Sequence, residues 1–192
     1  MKRFFSLLLI LLVNNSFIIS QNYYKTSFEE TLDSLIKINQ YDECYQHIQK
    51  NQNNELKLFY LQYLYLSQWF SSESDNDIII NESLIERALS NEWEEISLYI
   101  KMDTKLLLAE YYSNNQVLNR AISYTEEALT DYIKLFGEYL IDFFYAKLAL
   151  YSYDNGDYSR FLIYAEKVYT YILEKDYLSD LECDVLHCLG DY

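Results

Sequence analysis

The stretch LALYSYDNGDYSRFLIYAEKVYTYIL, residues 148–173, repeats the pattern of LAEYYSNNQVLNRAISYTEEALTDYI, residues 108–133, at a distance of 40 residues. The residues that recur before the polar turn are Leu108/Leu148, Ala109/Ala149, Tyr111/Tyr151 and Asn115/Asn155, and those that recur after it are Tyr124/Tyr164 and Glu126/Glu166. Apolar residues keep helical spacing on both sides of the turn. The pattern therefore predicts a repeated unit of helix, short turn and helix.

The composition favours helices over sheets. Among 192 residues there are only 3 Gly and 0 Pro, and sheet proteins usually draw on both residues to build their tight turns. Hydrophobic residues make up 51% of the chain, which is enough to bury a core despite the charge. We therefore predict an all-α fold whose helices are joined by Asn, Asp and Ser turns.

Helical patterns also occur before residue 108. Thr26 and Ser27 each precede a Glu by three residues, which is the sequence of a capping box at the start of a helix. Asn39-Gln40 ends this first helix. Further helices are predicted over residues 41–50, 55–70 and 81–89, and SSESDND, residues 71–77, is predicted to be a loop.

The second repeated stretch resembles a tetratricopeptide repeat (TPR). In that pattern a Leu-small pair and an aromatic residue lie on the first helix, Gly-Asp-Tyr at the turn, and an aromatic and small residues on the second helix. The residues that carry the resemblance are Leu148-Ala149, Tyr153, Gly156-Asp157-Tyr158, Tyr164 and Ala165, and in the preceding unit Leu108-Ala109, Tyr112, Ala121, Tyr124 and Ala128-Leu129. Gly137, nine residues after Ala128, is similar to the longer kinesin-light-chain-like variant. The resemblance extends over residues 106–175 and is looser over 27–93, where Cys44 takes the place of a small packing residue.

The resemblance implies an all-α, right-handed superhelical solenoid of antiparallel helix pairs. We expect residues 21–192 to form about four units and a partial fifth at the C-terminus. It also implies a non-catalytic scaffold, without a cofactor, that binds a protein or peptide on a concave face formed by the first helix of each unit. The residues that this assigns to partner binding are Glu110, Ser113, Asn114, Lys147, Leu150, Tyr153 and Asp154. Most of the 22 Tyr are expected to fill space between helices.

Residues 1–20 have the pattern of a cleaved signal peptide. Lys2 and Arg3 precede the apolar run FFSLLLILLV, and a small residue, Ser20, ends the segment. The alternative is a membrane anchor, but the uninterrupted apolar run is shorter than the roughly 20 residues that a spanning helix needs. We therefore predict an exported protein, periplasmic or secreted, without stable membrane insertion after cleavage.

The charge of the chain restricts its partners. The formal net charge is -15, and no basic run follows residue 3. The charge therefore makes nucleic acids poor partners and disfavours anionic membrane surfaces, since both are bound through clustered Lys and Arg. A basic or polar partner segment fits the acidic balance better.

The C-terminal stretch SDLECDVLHCLGDY, residues 179–192, has the pattern of the first helix of another unit. Such a helix without its partner would leave Leu181, Val185, Leu186 and Leu189 half covered, so we expect self-association through this helix. The alternative is that the chain is the N-terminal fragment of a longer TPR-containing effector or sensor, such as a CHAT-type protease or a signalling kinase.

The Cys and His residues offer a third, enzymatic hypothesis. Cys183 and His187 are four residues apart and share a helical face, and Cys44 and His47 are three apart on another predicted helix. A structural zinc site needs four ligands, and a catalytic site needs three. We expect neither a metal site nor a nucleophile here, because buried Cys residues more often act as small hydrophobic side chains.

Overall fold

A computed structural model of the chain describes residues 26–71, 79–90, 93–173 and 178–191. All nine regular elements within these residues are α-helices, and none of the residues is in a strand. The helices are α1 Ser27–Lys37, α2 Tyr41–Gln49, α3 Asn54–Ser71, α4 Glu82–Leu89, α5 Leu98–Asn114, α6 Leu118–Phe136, α7 Asp142–Asp154, α8 Tyr158–Ile172 and α9 Asp180–Asp191. The predicted all-α class is confirmed, and the capping box at Thr26 and Glu29 is present.

The chain divides into two compact units, residues 1–107 and 108–192, and the division falls inside α5. In the first unit α2 packs against both α1 and α3, and α4 packs against α3. In the second unit α7 packs against α6, α8 and α9.

Three of the helix pairs are joined by turns of the same geometry. Each turn contains one residue with positive φ: Asn39 (57°), Gln116 (60°) and Gly156 (74°). The next amide then donates to the carbonyl five residues before it, from Gln40 to Leu35 (2.9 Å), Val117 to Tyr112 (2.8 Å) and Asp157 to Ser152 (2.9 Å). This is the bonding of a Schellman motif, which satisfies carbonyls at a helix end. The α1–α2, α5–α6 and α7–α8 pairs therefore share one local design.

The second helices of these pairs also bury equivalent positions. Counted from the turn, Cys44, Ala121 and Phe161 occupy the same place, and each is 0% exposed. One turn later Ile48, Thr125 and Ala165 are likewise 0% exposed. The α1–α2 pair therefore follows the pattern of the other two pairs more closely than its sequence indicates.

The apolar face of α9 packs inward. Val185 is 0% exposed and belongs to a hydrophobic cluster with Phe161, Ala165 and residues of α7. Leu181 and Leu189 pack against the same cluster and are partly buried. Three of the four residues that the sequence assigned to a half-covered surface therefore contact α7 and α8. Self-association through α9 stays a prediction.

Two segments singled out in the sequence lie outside the described residues, namely the leader, residues 1–20, and nearly all of the predicted loop, residues 72–77. Among the helices that the structure describes, none combines the length and the apolar character needed to cross a bilayer.

Candidate binding surface

Tyrosine hydroxyls that donate to carboxylates are the most distinctive polar feature of the helix packing. Bonds of this kind that join different helices include Tyr60 to Glu29 (3.0 Å), Tyr63 to Asp103 (2.6 Å), Tyr151 to Glu110 (3.0 Å) and Tyr164 to Glu126 (2.5 Å). Three of these pairs are 38 to 41 residues apart, close to the 40-residue repeat distance, and Tyr60 and Glu29 are 31 apart. Within each unit, hydrogen bonds between tyrosine and acidic side chains thus fix one helix against another.

In the first unit Glu29 is 0% exposed and accepts three hydrogen bonds. Its carboxylate receives the Tyr60 hydroxyl, the Thr26 amide of the capping box and the Ser97 amide just before α5, each at 3.0 Å. A buried carboxylate needs such partners, because removal from water is costly. Burial, reinforced by the Glu29 carboxylate, raises the pKa of Tyr60 well above its usual range.

In the second unit the last turns of α5 and α7 carry the residues that the sequence assigned to partner binding. Glu110 on α5 accepts hydrogen bonds from two groups of α7, the Lys147 ammonium and the Tyr151 hydroxyl. Lys147 and Tyr151 are one helical turn apart, so both reach the same carboxylate oxygen. The three side chains thus join the C-terminal turn of α5 to the C-terminal half of α7.

Lys147 is only 7% exposed, so its charge must be neutralised within the protein. Glu110 supplies the opposite charge, and the ammonium also lies 5.3 Å from the Phe143 ring centroid and 5.6 Å from that of Tyr151. Burial and the adjacent Glu110 carboxylate raise the pKa of Tyr151 well above its ordinary value, while a hydrogen bond from Ser113 opposes that shift. Tyr151 therefore stays protonated and remains a donor at neutral pH.

Asn114 and Asp154 lie at the exposed edge of this network, at the ends of α5 and α7. The Asn114 amide donates to the Glu110 carbonyl at 3.0 Å, which holds it against its own helix. The pKa of Asp154 is raised because surrounding protein atoms partly desolvate its carboxylate. Ser113 is half-buried and hydrogen-bonds to Tyr151. Asn114 and Asp154 are therefore the most accessible residues of this group.

Leu150 and Tyr153 lie elsewhere on α7. Both pack against the hydrophobic cluster that α7, α8 and α9 share. The Tyr153 ring centroid is 5.2 Å from that of Phe161 and 5.7 Å from that of Tyr158. Of the seven assigned residues, five lie around the Glu110 and Tyr151 side chains, namely Glu110, Ser113, Asn114, Lys147 and Asp154. The other two, Leu150 and Tyr153, lie in the packing between helices.

Tyr151 is the residue of this network that the sequence did not assign. Tyr151 aligns with Tyr111 at the 40-residue distance. This recurrence alone does not show whether a tyrosine ring only fills space between helices or its hydroxyl also donates a hydrogen bond. The usable signal is its distance of 41 residues from an acidic residue, Glu110, which the Tyr63–Asp103 and Tyr164–Glu126 pairs approximate.

The Cys and His residues on the second and the last helix have different surroundings. Cys44 is buried, and His47 stacks on Phe28 with 4.4 Å between ring centroids and contacts the Phe28 carbonyl at 3.0 Å. Cys183 is exposed on α9. Within the part of the chain that the structure describes, no group of three or more His, Cys, Asp or Glu residues is placed to hold a metal ion.

The two classes of thiol should differ in reactivity. Burial raises the pKa of Cys44 from 9.0 to about 11, which lowers its thiolate fraction at pH 8 by roughly a hundredfold. We expect iodoacetamide to alkylate exposed Cys183 at least about a hundredfold faster than Cys44 in the native protein, as followed by peptide mass spectrometry. In urea the difference should vanish. Equal rates in the native protein would contradict the packing of α2.

A comparison with known protein families, with curated proteins and with solved structures finds no match to this chain. The resemblance to TPR proteins therefore stays a prediction from the sequence.

Proposed function

We propose that this protein is a non-catalytic protein-binding module of the TPR type, in which the helix pairs continue as a right-handed solenoid. The repeated turn geometry at Asn39, Gln116 and Gly156 supports this proposal, as does the equivalent burial of the second helices. An exported location is part of the proposal and rests on the sequence of residues 1–20.

The observation that carries the proposal is the Glu110, Lys147 and Tyr151 network. A binding surface requires side chains held in fixed positions, because ordering them on binding would cost affinity. The network fixes the adjacent ends of α5 and α7 with buried groups. It leaves Asn114 and Asp154 at the surface, where an extended peptide could contact both.

The charge at this surface favours a basic partner segment. Glu110 neutralises Lys147, so Asp154 provides the remaining net charge. Asn114 and Asp154 are the last residues of α5 and α7, and helix C-termini attract cations. The formal net charge of -15 adds long-range attraction for a basic peptide.

Selection of peptides from a random 12-residue display library tests the proposal. We expect the protein to enrich extended sequences with Lys or Arg, and the double variant Asn114→Ala, Asp154→Asn to weaken their binding by about tenfold, measured by isothermal titration calorimetry. Both positions are exposed, so the variant should retain its helical circular dichroism.

Glu138→Gln is the matched control, because it removes one exposed negative charge outside this surface. Binding by this variant should match the unaltered protein. Failure to enrich any peptide, or equal weakening by Glu138→Gln, would sink the proposed surface.

A further inference from the structure

The exposed residues Asn114 and Asp154 occupy equivalent positions of the 40-residue repeat. They are the last residues of α5 and α7, and the bond between Glu110 and Tyr151 joins these two helices. One position carries an amide and the other a carboxylate. The hydrogen bonds that these side chains already make therefore decide which chemical group can bind here.

The backbone of α5 sets the orientation of two amide side chains. The Asn114 side-chain nitrogen donates to the Glu110 carbonyl at 3.0 Å, which turns the amide oxygen away from that carbonyl. Asn115, directly after α5, has the same arrangement, since its nitrogen donates to the Tyr111 carbonyl at 2.8 Å. Among the described residues, none donates a hydrogen bond to either amide oxygen. The end of α5 therefore presents two oxygens that can each accept hydrogen bonds.

The carboxylate of Asp154 has lost water without gaining a partner within the described part of the chain. Surrounding protein atoms partly desolvate it, and this raises its pKa above the ordinary value of 3.8. No described residue donates a hydrogen bond to it or forms an ion pair with it. Lys147 on the same helix is already neutralised by Glu110. A bound cation would supply the stabilisation that this carboxylate lost with its water.

Arginine is the cationic side chain whose donors best match this set of acceptors. Its planar guanidinium carries five N–H donors and no acceptor, so it can bind a carboxylate through two parallel hydrogen bonds and still donate to amide oxygens. The ammonium of lysine has three donors and is more strongly hydrated, so it loses more on entering a partly desolvated site. Phosphate and carboxylate groups would be repelled by Asp154.

We propose that Asn114, Asn115 and Asp154 form a subsite for one arginine side chain of the partner segment. The guanidinium pairs with the Asp154 carboxylate and donates to the amide oxygens at the end of α5. This subsite rests on the proposed peptide-binding function and specifies the side chain that the protein recognises.

NMR titration of isotope-labelled protein with N-acetyl-arginine amide tests the subsite. We expect a dissociation constant on the order of 1–10 mM, with the largest shifts at the side-chain amides of Asn114 and Asn115. N-acetyl-citrulline amide has nearly the shape of the arginine probe but no charge, and it should bind at least about tenfold more weakly. N-acetyl-lysine amide should bind about threefold more weakly.

Asp154→Asn should weaken binding of the arginine probe by at least about tenfold, because it removes the charge and keeps the size of the side chain. Glu138→Gln is the matched control, since it removes one exposed negative charge outside the subsite. Both variants should retain the helical circular dichroism of the unaltered protein. Equal binding of the arginine and citrulline probes, shifts spread evenly over the acidic surface, or equal weakening by Glu138→Gln would overturn the subsite.

Citrulline substitution in the peptides enriched from the display library separates the subsite from the peptide-binding function. Replacement of one particular arginine should weaken binding by about tenfold or more. Enriched peptides that lack arginine, or that bind equally well with citrulline, would overturn the arginine subsite while the peptide-binding function stands. A library that yields no binder would overturn the peptide-binding function itself.

Discussion

Alkaline solution is expected to unfold this protein steeply, starting near pH 10. Tyr60, Tyr63 and Tyr151 have pKa values raised well above 10.0 by burial and by the carboxylates that their hydroxyls contact. Once unfolded, the same residues ionise with pKa values near 10. The stability that these residues supply is therefore complete below pH 10 and is lost as the pH rises above it, because only the unfolded chain releases the protons.

The size of the effect follows from the number of protons. Each proton released only by the unfolded chain lowers the free energy of unfolding by about 1.4 kcal/mol per pH unit. Three buried tyrosines together give about 4 kcal/mol per unit above roughly pH 11, which is a large part of the usual stability of a domain. Tyr164, whose pKa is also raised, is more exposed and contributes less because solvent screens it.

Urea unfolding followed by far-ultraviolet circular dichroism from pH 8 to about pH 11.5 measures this slope. The experiment is run in about 0.5 M NaCl, where repulsion among surface charges is screened. Tyr151→Phe should reduce the slope by about 1.4 kcal/mol per pH unit. If all 22 tyrosines titrate near pH 10 at 295 nm without loss of helix, the buried hydroxyl–carboxylate bonds are wrong.

Phe161→Ala should cause the largest loss of stability from a single substitution in the second unit. Phe161 is 0% exposed at the centre of the cluster formed by α7, α8 and α9. Removal of a buried phenyl ring costs about 3–5 kcal/mol, because the neighbours cannot fill the cavity completely. Three other buried members of this cluster, Ala146, Ala149 and Ala165, have short side chains that cannot extend into the space.

Leu162→Ala is the matched control for this substitution, since Leu162 is adjacent in sequence but 38% exposed. It should cost less than about 1 kcal/mol. Far-ultraviolet circular dichroism is the suitable probe, because both tryptophans, Trp69 and Trp93, lie outside the second unit. Equal urea midpoints for the two variants would contradict the position of Phe161 in the cluster.

The hydroxyl–carboxylate bonds relate two features of the composition, the high content of tyrosine and the high content of acidic residues. Phenylalanine could fill the same volume between helices, but it could not donate to the buried carboxylate of Glu29 or the partly buried carboxylate of Glu110. Among the described residues, every buried side-chain nitrogen and oxygen has a hydrogen-bond partner. A high content of tyrosine therefore allows acidic residues inside the helix packing, where they fix one pair against the next.

Much of the local structure could be predicted from the sequence. Local hydrogen bonds form the helix start at Thr26 and the polar turn at Gly156, and they involve residues within one or two turns of a helix. The 40-residue recurrence repeats such local patterns along the chain. The α1–α2 pair gave a weaker signal, because Cys44 and Ile48 differ in type from Phe161 and Ala165 although they occupy equivalent buried places.

The candidate site was predictable only in part. Helical spacing put Glu110 and Lys147 on first helices, but their pairing depends on how α5 and α7 pack. The sequence also grouped Tyr153 with them, whereas its ring packs against Phe161. A shift of one residue along a helix turns a side chain by 100°, so a surface assigned by periodicity alone mixes exposed and buried positions.

The sequence by itself determined the helical class, the repeated unit and the turns that close it, because capping and 3.6-residue periodicity act over short distances along the chain. The tertiary structure alone decided which tyrosines bond to which carboxylates, how the charge of Lys147 is neutralised, and that α8 rather than α9 exposes the longer apolar face. The bonds among these features join residues up to about 40 positions apart, and only the packing of one helix against another brings such residues into contact.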